Sequence, residues 1–265
     1  MDENSKLPPL DSTPPPDPTP QLNPDLPTLW IIGDSTVRTG TPGQQGWGDP
    51  IAACFDTTRI NVINRARGGR SSRTFQTHGL WEDVLRYAKP GDFVIMQFGH
   101  NDESPVNDDS RARGTLPGIG DETETIDNML TGERETVHTF GWYMRQYITE
   151  ARAARLTPII CAAIPRLPKD TVTLPLPQTT GHRLWSQQVA EAENVCFIDL
   201  NSLILTSYEG MTPDEIRAAF FTEQDGTHTS PAGAAHHAAL VIKGLRELPD
   251  CPLNHYVIRP MTKAF

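Results

Sequence analysis

Nowhere in these 265 residues does an apolar run approach the roughly 20 residues that a membrane-spanning helix needs. Cysteine is scarce. Cys54, Cys161, Cys196 and Cys251 stand far apart with no CxxC spacing, which argues against a zinc site of that type. Cys161 and Cys196 lie in apolar, strand-like runs and read as buried thiols, so cysteine use leaves the redox compartment open. Positive charge is in the minority, with 23 Lys+Arg against 33 Asp+Glu and a net charge of -10. A field of that sign repels nucleic acid and anionic membrane surfaces, although a local basic patch can still hold an anionic ligand. The N-terminus has no basic-then-apolar export pattern.

What stands there instead is proline. Residues 1–27 hold 9 of the 24 prolines, with Asp, Thr and Ser between them. Such a stretch cannot bury enough apolar surface to fold, which predicts an extended, disordered linker over 1–27. Linkers of this kind often follow a cleaved export or lipid-anchor signal. The expected location is therefore secreted, periplasmic or cell-surface, with a cytoplasmic protein carrying a free tail as the alternative. The remainder, 28–265, is long enough for one domain with a substantial core.

In that remainder short apolar runs alternate with longer amphipathic ones. Strands are expected at Thr28–Asp34, Ile60–Ala66, Asp92–Gly99, Thr157–Ile164 and Val195–Leu200. Their near-continuous apolar character suits strands buried on both faces. Helices are expected over Thr74–Ala88, Glu135–Arg155, His182–Glu193 and Ser230–Leu248. In the second of these Phe140, Tyr143, Met144, Tyr147, Ile148 and Ala151 share one face. The last has a hydroxyl cap at Ser230 and proline at its first position. The alternation predicts an α/β fold, a parallel five-stranded sheet with helices on both faces. Two segments interrupt the rhythm, the polar Glu103–Val137 and the proline-rich Pro165–Gln178. Both follow strands, so both belong at the carboxyl edge of the sheet, where open α/β folds bind ligands.

The same edge collects chemistry-bearing residues. The first strand ends in Gly33-Asp34-Ser35-Thr36, the second in Arg67-Gly68-Gly69-Arg70-Ser71, and the third in Gly99-His100-Asn101-Asp102. Asp225-Gly226-Thr227-His228 precedes the last helix. Each has a plain alternative: a capping serine, a tight turn, an asparagine bonded to its own loop, a surface turn. Jointly they supply an acyl-transfer site. Ser35 is the nucleophile, His228 the general base, and Asp225 the group that orients the imidazole. The backbone N–H groups of Ser35 and Gly69, with the Asn101 amide, supply an oxyanion hole. A hydrolytic metal site would show a denser set of His and carboxylate ligands, so no metal is expected. His236 and His237, on the last helix, read as helix surface or partner contact.

These four blocks, in this order, resemble the SGNH (GDSL-like) hydrolase superfamily, whose four naming residues match Ser35, Gly69, Asn101 and His228. The likeness runs from Leu29 to about Leu248. Within the superfamily, GDSTVRTG, QGWGDPIA, NRARGGRSSRTF, VIMQFGHNDES, ETVHTFGWYMRQYI and DGTHTSPAGA are similar to rhamnogalacturonan acetylesterases. The resemblance implies a flavodoxin-like three-layer α/β/α sandwich, no cofactor, and removal of acetyl groups from pectic polysaccharide. The expected partner is an acetylated polysaccharide or oligosaccharide substrate, and the chain is expected to be a monomer. Arg65, Arg67, Arg70 and Arg73 cluster after the second strand and suit the carboxylate of an acidic sugar, unless they pair with the chain's own acids. Arg70, Trp47 and His100 are the candidate substrate contacts. The alternatives are an acetylxylan esterase, a broad esterase, thioesterase or lipase, and a glycan-binding module on an esterase scaffold.

Overall fold

The computed structural model describes residues 17–175, 180–223 and 225–258. Five strands form one parallel sheet: β1 (Thr28–Gly33), β2 (Asn61–Asn64), β3 (Phe93–Gln97), β6 (Thr157–Cys161) and β7 (Cys196–Ile198). Their order, β2-β1-β3-β6-β7, is the flavodoxin-like arrangement, in which the winding reverses between β1 and β3. All five lie inside the runs expected from their apolar character.

The period of two along each strand sorts side chains to opposite faces. Leu29 and Ile31 of β1, with Phe93 and Ile95 of β3, join one core cluster. Trp30, Ile32, Val94 and Met96 join the other. Helices α5 (Leu200–Ser207), α6 (Pro213–Phe220) and α7 (Pro231–Arg246) cover the first face. Helices α1 (Ser72–Thr77), α2 (Leu80–Tyr87), α3 (Phe140–Ala153) and α4 (Gly181–Glu193) cover the second. Each large apolar side chain buried in this way contributes about 1.5–3 kcal/mol. The three layers follow from strands that are apolar on both sides.

Four expectations need correction. The helix foreseen over Thr74–Ala88 is two helices, because Gly79 takes a left-handed φ of 70° between them. The helix foreseen from Glu135 begins only at Phe140, capped by the Thr139 hydroxyl, which accepts from the Trp142 N–H. The residues before it form β5 (Arg134–His138), antiparallel to β4 (Thr123–Asp127). The strands of this hairpin are so polar that only Ile126 and Val137 in them are buried, which left no apolar alternation to read. Helices α5 and α6 were likewise not expected. They make His237 a core residue: it is fully buried and hydrogen-bonded through Nε2 to the Tyr208 hydroxyl at 2.9 Å. His236 is partly buried, stacked on Phe220 and bonded to Ser207.

Residues 1–16 of the expected linker lie outside the described residues. Residues 17–27 run along the domain. The Asp17 carboxylate is held by Arg38 at 2.8 Å, Arg67 at 2.9 Å and Arg65 at 3.5 Å, while Asn23 exchanges hydrogen bonds with Asn61. Among the described residues no helix is long and apolar enough to cross a membrane.

Candidate active site

The reversal between β1 and β3 opens a crevice at the carboxyl edge of the sheet, and Ser35 is the second residue past β1. Its turn is tied to the core. Asp34 is fully buried and accepts from the Thr36 N–H at 2.8 Å and hydroxyl at 2.7 Å. Burial raises the Asp34 pKa, against those two hydrogen bonds. Gln97, at the end of β3, donates to the Thr36 hydroxyl at 2.6 Å and accepts from the Trp47 indole at 2.7 Å. Trp47 has no exposed surface, so it cannot stack on a sugar face. It belongs to the scaffold that holds the turn, because its N–H needs a buried acceptor and Gln97 supplies one. Gly33 leaves room for this: a Cβ there would sit 2.5 Å from the Gln97 carbonyl.

On the opposite wall, the loop before α7 carries the aspartate and histidine. Asp225 Oδ1 accepts from the backbone N–H groups of Thr227 and His228, both at 2.7 Å. Its Oδ2 lies 2.8 Å from His228 Nδ1, and His228 Nε2 lies 2.8 Å from Ser35 Oγ. Burial pushes the Asp225 carboxyl up, but the hydrogen bonds from His228 and Thr227 outweigh it and hold the pKa below the ordinary range. The loop is pinned from outside. Leu167 N–H donates to the Gly226 carbonyl at 2.7 Å, and a Cβ on Gly226 would stand 1.7 Å from the Leu167 carbonyl oxygen. The described part of the proline-rich loop thus acts as a buttress; residues 176–178 lie outside the described residues.

The floor comes from the turns after β2 and β3. Gly69 adopts φ 77°, a conformation that favours glycine. The Asn101 amide donates to the Arg70 carbonyl at 2.9 Å, which uses one of its two hydrogens. Ser35, Gly69, Asn101, Asp225 and His228 all border one cleft of about 470 Å³, and so do Arg70 and His100.

Three further arginines border it that the sequence reading missed: Arg111 and Arg113 from the long polar segment, and Arg166 after β6. Arg113 donates to the Gly69 carbonyl at 3.0 Å and to Ser104 Oγ at 2.9 Å. Arg166 Nε donates to His100 Nδ1 at 2.9 Å, and its Nη2 donates to the His100 carbonyl at 2.7 Å. A guanidinium has no acceptor, so His100 Nδ1 must accept and the ring proton resides on Nε2. Burial, reinforced by the Arg166 charge, lowers the His100 pKa to about 3, so the ring is neutral. Nε2 is buried with no hydrogen-bond partner among the described residues. The spacing Arg111-x-Arg113 beyond GHND was the signal available for two of these residues; nothing local marked Arg166.

By contrast, most of the arginine cluster after β2 does not face the cleft. Arg65 and Arg67 hold Asp17. Arg73, 1% exposed, binds Glu135 at 2.5 Å and the carbonyls of Val106 and Gly114. Of these four arginines, Arg70 alone borders the cleft. Among the described residues no group of three His, Cys, Asp or Glu side chains could hold a metal ion.

Residues 31–236 match the GDSL-like lipase/acylhydrolase family. The chain belongs to this family. It is accordingly a carboxylic ester hydrolase. A rhamnogalacturonan acetylesterase of Emericella nidulans is 30% identical over 82% of this chain and 84% of its own length. Among solved structures, the YxiM protein of Bacillus subtilis superposes with a TM-score of 0.67 at 24% identity, over 85% of this chain. This chain spans only 58% of that one. An acetylxylan esterase, Axe2 of Geobacillus stearothermophilus, superposes with a TM-score of 0.54 at 18% identity, covering 83% of this chain and 94% of that one. These two likenesses carry the fold of the GDSL-like family member described here, an α/β sandwich around a five-stranded parallel sheet.

Proposed function

We propose that this GDSL-like hydrolase removes O-acetyl groups from an acidic plant polysaccharide of the rhamnogalacturonan class. The observation that carries the reading is the Asp225–His228–Ser35 chain, with two steps of 2.8 Å, set in a cleft bordered by four arginines. In an acidic chain, Arg70, Arg111, Arg113 and Arg166 make a local positive wall beside Asp225, with Glu103 3.5 Å from Arg166 as the other nearby acid. Guanidinium groups suit the carboxylate of a uronic acid, and neutral xylan offers no charge for them to read. The long segment that brings Arg111 and Arg113 to the cleft is polar along β4 and β5, which suits a glycan better than an apolar acyl chain. Such a polymer is met outside the cytoplasm, where we place the enzyme's action.

In this reaction Ser35 Oγ attacks the acetyl carbonyl carbon while His228 Nε2 takes the hydroxyl proton. Asp225 fixes the imidazole tautomer and stabilises the imidazolium. Negative charge on the former carbonyl oxygen is met by the N–H groups of Ser35 and Gly69 and by the Asn101 amide. The sugar hydroxyl leaves with the proton from His228, and the acetyl group stays on Ser35 as an ester. Water, deprotonated by the same histidine, then releases acetate and restores the serine.

Acetate release from acetylated rhamnogalacturonan, acetylated xylan and a long-chain ester tests the reading. The acidic polymer should be preferred, and Ser35→Ala should abolish release while leaving the unfolding temperature unchanged. Turnover by the serine variant would remove Ser35 from the nucleophile role. Asn101→Ala should slow turnover by about 10²–10³-fold, the usual cost of one oxyanion donor; a loss of a few-fold would remove it from that role.

A further inference from the structure

A second cavity of about 390 Å³ lies beside the cleft, and Arg111 borders both. Its walls come from α1 and from the β4–β5 hairpin: Thr74 and Thr77 on one side, Asn128, Thr131 and Arg134 on the other. Hydroxyls, an amide and a guanidinium are the groups that bind sugars and their carboxylates. The acids of the wall only partly offset its cations. Glu135 is occupied by Arg73 and by the Asn128 amide, at 2.8 Å. That leaves Glu133 against Arg111 and Arg134, neither of which has a carboxylate partner among the described residues.

Arg111 is held at the junction by its neighbours. Asp108 Oδ1 accepts from the N–H groups of Ser110, Arg111 and Ala112, at 2.9, 2.6 and 3.0 Å. Ala112 is buried and takes φ 40°, a left-handed conformation unusual for a residue with a Cβ. Arg113 is then tied to the Gly69 carbonyl, beneath the cleft. Strain of this sort persists only where the surroundings over-determine it, and it collects at ligand sites. Here it sets the backbone of the one arginine that touches both cavities.

We infer that the cleft and the second cavity form one groove, and that the second cavity binds another uronate unit of the same chain, away from the sugar being deacetylated. Arg134 meets that unit's carboxylate, and Arg111 bridges the two positions. The inference rests on the acidic-polysaccharide reading above. It assigns the hairpin the recognition of polymer length.

Arg134→Ala tests it, because Arg134 is exposed on the hairpin and its loss spares the core. Acetate release is measured for parent and variant on 4-nitrophenyl acetate, on a singly acetylated short uronate oligosaccharide, and on the acetylated polymer. The variant should match the parent on the first two and lose about five- to tenfold in kcat/KM on the polymer, through KM. Arg134→Lys should recover part of the loss. Polymer activity within twofold of the parent would overturn the second position while leaving the functional reading intact. Equal losses on all three substrates would also overturn it, since the hairpin would then be acting on the frame of the site. A parent that cleaves 4-nitrophenyl acetate but no acidic polymer would remove the functional reading and the subsite with it.

Discussion

Two sets of arginines in this protein look alike in sequence and do opposite work. Arg65, Arg67 and Arg73 stand together after β2, yet each ends against a carboxylate of the chain itself: Asp17 for the first two and Glu135 for the third. Arg111, Arg113 and Arg166 come from two separate segments and converge with Arg70 on the cleft. Proximity along the chain therefore says little about a charged patch. What decides is where each guanidinium ends once the chain is folded. Arg65, Arg67 and Arg73 are clamped away from the cleft, whereas Arg70, Arg111, Arg113 and Arg166 border it, Arg166 with Glu103 3.5 Å away.

The comparison is open to three tests. The largest expected effect is at Arg73, which is buried and holds Glu135 together with two backbone carbonyls. Arg73→Ala should cost about 3 kcal/mol of stability, the scale for breaking a buried ion pair. Its folded fraction should hydrolyse 4-nitrophenyl acetate, which reaches only the cleft, at the parent rate. Denaturant unfolding checks the first, and activity per folded molecule checks the second. Next is Arg166→Ala, expected to raise KM for a uronate-bearing ester by roughly tenfold, or about 1.4 kcal/mol. Stability should fall by less than for Arg73→Ala, about 1 kcal/mol or more, since the buried His100 Nδ1 loses its donor. A matching loss on uncharged 4-nitrophenyl acetate would show that Arg166 acts through His100 and the frame of the site.

The smallest effect is at Asp17. Burial pushes its carboxyl up, but the Arg38 hydrogen bond and the charges of Arg38, Arg67 and Arg65 outweigh it and hold the pKa below the ordinary 3.8. A carboxyl lowered in this way stabilises the fold above its unfolded pKa, and the contribution is lost as pH falls below about 4. Asp17→Asn should cost about 1 kcal/mol or less at neutral pH. Part of the parent's acid-induced loss of stability should vanish with it. A parent and variant with identical acid unfolding curves would mean that the strap contributes nothing.

The legible part of the molecule was the part buried on both faces. Runs such as Leu29–Ile32 and Phe93–Met96 read as strands because they are short, apolar throughout and flanked by Pro27 and Gly33 or by Gly91 and Gly99. Ser35, Gly69 and Asn101 were legible with them, since each follows a strand by a few residues and a parallel sheet brings those ends to one edge. Hairpin β4–β5 was not, since its residues are mostly solvated and its pairing comes from backbone hydrogen bonds. Trp47 misled for a related reason. A tryptophan in a glycine-rich turn suits either a sugar face or a core, and only the buried Gln97 acceptor selects the core.

The sequence by itself determined the layer order of the fold and the strand ends that meet at the cleft, because both follow from local periodicity and strand direction. Tertiary structure alone decided which arginines face the ligand, which histidine is locked as a donor, and how the DxxH loop is braced. Those outcomes depend on contacts between residues far apart in the chain, such as Arg166 with His100 and Leu167 with Gly226, which no local pattern encodes.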